Sequence, residues 1–204
     1  MSERYTSYPR PVFWLVPERE ESPAVAPFYL STLPVTNRQL EACTGERRRS
    51  TWAPADDDPA IGVSIELASE YCAWYARIAR KAIRLPTEVE WEHACRGGRE
   101  HDWWTEGSID PRSSDPRSLD GWAWHAGNSG GGPVPALDAK RTNPFGLHAM
   151  LGGVWEWVLG EDGPVLRGGS WRTPAEELGC SVRRAPTAEL EAEAGFRIAR
   201  SLRG

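Results

Sequence analysis

The residues with the strongest intrinsic chemistry in this 204-residue chain are four cysteines: Cys43, Cys72, Cys95 and Cys180. A thiolate is a nucleophile and a soft-metal ligand, and two held close together suit Cu(I). These four are scattered and form no CxxC pair. Cys43, Cys72 and Cys95 fall in helical patterns, where a thiol is usually a small buried hydrophobe. Cys180 stands in CSVRR, where Arg183 or Arg184 would lower its pKa and make it nucleophilic; the other reading is a buried strand cysteine. Arg183, Arg184 and Arg197 are candidates for buried or pocket-facing charges, because a planar guanidinium can satisfy several acceptors at once. His93 has no HxxxH partner and reads as structural. Glu88, Glu90 and Glu92 sit where a helix start favours negative charge, which explains them without catalysis. The short run Arg47-Arg48-Arg49 reads as a solvated loop.

The elements that must position these groups are legible from caps and periodicity. Pro11–Val16 (PVFWLV) reads as an edge strand and Phe28–Thr32 as a short strand. Thr36-x-x-Gln39 is a capping box opening a helix that Gly45 stops. Ser64 caps a second helix, in which Leu67, Tyr71, Trp74, Tyr75 and Ile78 form one apolar stripe. Thr87-x-x-Glu90 caps a third, running from Glu88 to about Cys95 and ending at Gly97-Gly98. His101–Pro135 reads as a long irregular surface insertion anchored by Trp103, Trp104, Trp122 and Trp124, and as a candidate binding surface. Thr142–Arg172 interleaves glycine and tryptophan (NPFGL, GGVWEW, RGGSW), which predicts a tightly packed irregular core. Val165–Arg167, Cys180–Arg184 and Phe196–Arg200 read as strands.

The order LPTEVEWEHACRGG, NPFGLHAMLGGVWEW, RGGSW and GFRIAR, with Phe28-Tyr29 and PVTNRQL upstream, resembles the formylglycine-generating enzyme (sulfatase-modifying factor) family from Phe28 to Arg200. The resemblance implies an α+β, C-type-lectin-like fold: a twisted antiparallel sheet, two or three helices and long irregular loops. It implies an N-terminal strand-and-loop extension over 1–27 and the family domain over 28–204. Oxidase members carry two cysteines soon after RGGSW that bind Cu(I) and activate oxygen. Here Ser170 and Trp171 match GGSW, the first cysteine position falls at or beside Thr173, and Cys180 is the only candidate for the second. One thiolate and a hydroxyl do not make a two-thiolate copper site. The family often binds calcium near the GGVWEW region; Ala149 and Gly153 stand where it has an acid and an amide, leaving Asn143, Glu156 and backbone carbonyls as oxygen ligands. The iron-dependent sulfoxide synthase branch draws its histidines from an added domain, whereas this chain has only His93, His101, His125 and His148.

Composition bounds the function further. A net charge of −5 gives no global basic field for nucleic acid. No apolar run is long enough to cross a membrane, and the first residues lack the apolar core of a signal peptide. Scattered cysteines fit a reduced, cytoplasmic protein. The expectation is a family member that recognises a protein or peptide ligand within a larger assembly, without formylglycine-generating activity. Its ligand residues would be Trp155, Trp171, Arg172, Arg183, Arg184, Trp122 and Trp124. The alternative is a metal-dependent oxidoreductase working through Cys180 and Ser170.

Overall fold

The structure, a computed structural model, describes residues 10–21, 23–100, 102, 119–132, 134 and 136–202. Among these, the chain runs β1 (Phe13–Val16), β2 (Phe28–Ser31), α1 (Asn37–Thr44), α2 (Ile65–Ala79), β3 (Ile83–Arg84), α3 (Glu88–Arg96), β4 (Trp155–Gly160) and β5 (Gly163–Arg167). It continues through β6 (Arg183–Arg184), α4 (Ala188–Glu191), β7 (Ala194–Gly195) and β8 (Ala199–Ser201). The helix ends follow their caps. The Gln39 carboxamide oxygen accepts the Thr36 N–H at 3.0 Å, the Ser64 hydroxyl accepts Leu67 N–H at 3.3 Å, and Thr87 and Glu90 exchange both bonds of their box. Gly45 and Gly97 close α1 and α3 in left-handed conformations.

The β-structure divides into two four-stranded sheets, ordered β1-β2-β8-β3 and β6-β5-β4-β7, where the sequence suggested one. The pairings are antiparallel except β4 with β7, which is parallel. Pro11–Val16 does supply an edge strand, β1, paired to β2. The expected strand over Cys180–Arg184 shrinks to Arg183–Arg184. Cys180 lies in a turn held by Asp102, whose carbonyl accepts its N–H at 3.1 Å.

Period-two alternation along β4 decides what each side chain meets. Trp155 and Trp157 face a core shared with Leu166 and with Tyr71, Cys72 and Tyr75 of α2. Val158, with Val165 of β5, faces a second core containing Trp91 and Cys95 of α3. The α2 stripe read from the sequence is therefore the cover of one sheet face. A third core gathers Trp171, Val154, Leu137 and Ala149 under the partly buried Trp124.

Candidate functional site

β5 ends at Arg167 and hands the chain to Gly168 and Gly169, at φ +89° and +83°. A side chain at Gly169 would meet Leu178 at 2.3 Å, so this turn needs glycine. It interlocks with Gly152 and Gly153: Gly152 N–H donates to Gly168 C=O (2.8 Å) and Trp171 N–H to Gly153 C=O (2.8 Å). The turn delivers Ser170, Trp171, Arg172 and Thr173 to one place.

Ser170 is fully buried. Its N–H donates to Thr173 Oγ1 (2.9 Å), and its hydroxyl donates to Glu193 Oε2 (2.5 Å) while accepting Arg172 N–H (3.1 Å). Glu193 also pairs with Arg172 Nη1 at 3.3 Å. The Arg172 guanidinium lies 4.0 Å from the ring centre of Trp52 and 5.1 Å from that of Trp171. Trp171 is a buried floor, its indole N–H donating to Gly132 C=O at 3.1 Å. Arg172 and Trp52 are partly exposed, with 38% of the arginine side chain and 39% of the tryptophan open to solvent. The result is a cation stacked on an open aromatic and backed by a carboxylate and two hydroxyls. No histidine stands between Glu193 and Ser170 to relay a proton. The arrangement suits polar recognition better than nucleophilic catalysis.

Only part of the expected ligand set gathers here. Trp155 is buried in the α2-facing core. Arg183 and Arg184 are exposed on β6, a two-residue edge strand; they pair with Glu88 (3.0 Å) and Glu177 (3.7 Å), so they are surface charges rather than pocket-facing ones. Of the tryptophans in the long insertion, Trp124 donates its N–H to Ala136 C=O (3.0 Å) under Lys140, and Trp122 lies beneath Arg141. Both are partly buried anchors packed on the core. His101, Trp103, Trp104 and most of that insertion lie outside the described residues. Trp52 and Glu193 were missed by sequence reasoning; one stands beside an Asp/Pro-rich loop and the other in a Glu/Ala-rich stretch, and neither carries a local signal.

Cys180 is fully buried, in the core that holds Trp91 and Cys95. Cys95 is its neighbour, a pairing the scattered spacing concealed. Burial and the adjacent Cys180 thiol push the Cys95 pKa well up, the opposite of an activated thiolate. Both cysteines are free. The arginine hydrogen-bonded to Cys180 is Arg167, not Arg183 or Arg184. Its Nη2 donates to Cys180 C=O (2.5 Å) and Glu92 (2.7 Å), and its Nη1 to Glu88 (2.9 Å). A copper dithiolate does not fit a buried pair in which burial holds the Cys95 thiol in its protonated form. Nor do the calcium candidates fit an ion. Asn143 Oδ1 accepts the N–H groups of Phe145 and Leu147, both at 3.0 Å, and its amide donates to Ala94 and Cys95. Glu156 is engaged on both oxygens by Arg197, each at 2.7 Å, and by the Trp91 indole at 2.7 Å. Among the described residues no three His, Cys, Asp or Glu cluster in a way that could hold a metal.

A sequence model of the Sulfatase-modifying factor enzyme 1-like domain matches residues 16–202. The chain belongs to this sulfatase-modifying factor family. Among curated relatives, the family member is 36% identical over 134 residues to the inactive C-alpha-formylglycine-generating enzyme 2 of Mus musculus, covering 58% of this chain and 39% of that protein. It is 29% identical over 145 residues to the formylglycine-generating enzyme of Bos taurus, covering 68% and 35%. The chain thus spans well under half the length of these relatives. The fold matches Treponema denticola variable protein 1 with a TM-score of 0.73 at 20% identity, over 95% of this chain and 93% of that one. No helix among the described residues is long and apolar enough to cross a membrane.

Proposed function

We propose that this sulfatase-modifying factor domain is a protein- or peptide-recognition module that does not generate formylglycine, acting in the cytoplasm within a larger assembly. The observation that carries the reading is the occupancy of the turn after RGGSW. Arg172 and Thr173 fill it, Thr173 Oγ1 is bound to the Ser170 N–H, and Cys180 is closed away beside Cys95. In place of a thiol pair the turn presents Arg172 stacked on the open face of Trp52. Trp and Arg dominate the energetic centres of protein interfaces, because each offers a large flat surface with directed polar groups. Glu193 fixes the guanidinium, so little side-chain freedom is lost when a ligand carboxylate or carbonyl engages it. An oxidoreductase reading through Cys180 gains a second thiol in Cys95, but the burial of both opposes it.

The test has two arms on the purified chain. Supplied with Cu(I), oxygen and a cysteine-bearing sulfatase-type peptide, it should form no aldehyde detectable by mass spectrometry. Turnover that disappears in Cys180→Ser would overturn the proposal. In a displayed-peptide selection, the wild-type chain should enrich sequences that Arg172→Ala and Trp52→Ala do not retain, each change weakening binding by roughly tenfold or more.

A further inference from the structure

A cleft of about 370 Å³ opens on the other sheet, β1-β2-β8-β3, lined in part by Arg10, Lys81, Arg200, Phe13 and Tyr75. Its shape follows from register. Residues directly opposite on paired strands share a face. Tyr29 pairs with Arg200 and Arg200 with Ile83, which puts all three in one row; Leu15 extends that row on β1. α2 covers this face with Tyr75 and Ile78 and then stops at Ala79, where Arg80 takes a left-handed conformation and turns the chain back through Lys81 into β3. Among the described residues a cleft remains beside the helix end, lined by Phe13 and Tyr75 and by the cations Arg10, Lys81 and Arg200.

Arg200 is the informative residue. Its guanidinium carbon lies 3.9 Å from the Tyr29 ring centre and 5.9 Å from that of Phe13. The guanidinium thus packs against the rings, and its N–H groups can still donate. Among the described residues no carboxylate lies within ion-pair distance of Arg200, Lys81 or Arg10. In a chain of net charge −5, the half-buried Arg49, Arg84 and Arg96 are matched to Glu41, Glu90 and Glu92, whereas among the described residues Arg19 bonds only the Pro23 carbonyl. The fields of Arg10 and Arg200 reach Tyr75 as well, opposing the rise that burial imposes on its hydroxyl.

The geometry points to a binding site for a small organic carboxylate with an aromatic or aliphatic body. The carboxylate accepts from Arg200 with Lys81 and Arg10 around it, and the body packs on Phe13, Tyr75 and Ile78. The volume is in the range of small-molecule pockets. The site is separate from the Arg172–Trp52 surface and does not depend on the recognition reading given above.

The experiment is an amide-resolved NMR titration of the full chain with 3-phenylpropionate, its neutral isostere 3-phenylpropionamide and inorganic phosphate. The acid should shift the amides of Ile78, Lys81, Ile83 and Arg200 saturably. The neutral amide should bind roughly five- to tenfold more weakly, as expected for loss of a partly desolvated ion pair. Arg200→Gln should weaken the acid by a similar factor and leave the amide unchanged. Lys81→Gln, in the exposed turn, supplies a second variant that keeps the stacked arginine, and Arg48→Gln should have no effect. Equal affinity for acid and amide, shifts lying elsewhere on the molecule, or no saturable shift would each overturn the proposal. Phosphate binding as tightly as the acid would overturn the assignment of an apolar body.

Discussion

The pair Glu156–Arg197 offers the most demanding test of how this fold is held together. Both side chains are fully buried. Arg197 Nε and Nη2 grip the two carboxylate oxygens, Nη1 donates to Ser31 C=O at 3.1 Å and Nη2 to His148 C=O at 3.0 Å. The pair thus ties β4 of one sheet to the end of β2 in the other, and Trp91 of α3 joins it through Glu156. Removing one member of a buried pair costs about 3–5 kcal/mol, because the other is left charged and unmatched. The two sides are unequal. In Glu156→Ala, Arg197 keeps its backbone carbonyl partners, placing the cost near ~3 kcal/mol. In Arg197→Ala, Glu156 retains only the Trp91 N–H and the carbonyls lose their donor, placing it near ~5 kcal/mol. With a urea dependence of about 2 kcal/mol per molar, Glu156→Ala should lower the unfolding midpoint by about 1.5 M and Arg197→Ala by about 2.5 M. The double change Glu156→Leu/Arg197→Met leaves no buried charge and should cost less than either single change. Urea unfolding followed by tryptophan fluorescence measures all three. Single variants shifted by less than about 0.5 M, or a double variant worse than both singles, would refute the reasoning.

Three further outcomes follow from local geometry. Gly152→Ala should destabilise by roughly 3 kcal/mol or more in the same urea assay, since a Cβ there would sit 1.9 Å from the Trp124 carbonyl oxygen at φ +66°; Gly130→Ala, with open space around it, isolates the backbone term alone. Burial by itself would raise the Glu90 pKa, but the Arg84 guanidinium and the Thr87 N–H hold it below its ordinary value of 4.5. Its stabilisation is therefore present above that value and lost as pH falls through the lower folded value, so Glu90→Gln should flatten the acid limb of a stability–pH curve and leave its neutral part less stable by a constant amount. Burial pushes the Cys72 thiol up to about 12 and Cys95 well above its ordinary value; in a thiol-labelling time course the half-buried Cys43 should react first, with Cys72, Cys95 and Cys180 following only on unfolding.

What the sequence disclosed was whatever is encoded locally. Capping boxes at Thr36 and Thr87 and glycines at 45 and 97 fixed helix ends to within a residue, because both halves of each signal lie within one turn. Arg197 was legible as a buried charge. Arg183 and Arg184 were misread for a non-local reason: whether a strand residue is covered depends on its place in the sheet, and β6 is an edge. The glutamates of α3 show the same limit. The dipole explains their presence, yet Glu88 and Glu92, one turn apart, also close on Arg167 from 79 and 75 residues away in sequence. The meeting of Cys95 with Cys180, and of Trp52 and Glu193 with Arg172, is likewise set by long loops whose path no local pattern encodes.

The same distinction separates what the signature motifs do for the fold from what this chain presents at its surface. In GGVWEW and RGGSW the glycines are consumed by close approach of backbone at Gly152 and Gly168 and of leucine side chains at Gly153 and Gly169, the buried tryptophans by packing between sheets and helices, and Glu156 and Arg167 by ion pairs and hydrogen bonds internal to the protein. These roles hold β4, β5 and the turn after β5 in place within the fold; none requires a thiol. Arg172 and Thr173, by contrast, stand where the turn meets its surroundings, and their neighbours Trp52 and Glu193 come from separate segments. Changes there alter what the surface presents without disturbing the backbone contacts beneath it. The motif therefore identifies the scaffold, and on the recognition reading proposed above the side chains at 172, 173, 52 and 193 carry what is particular to this member.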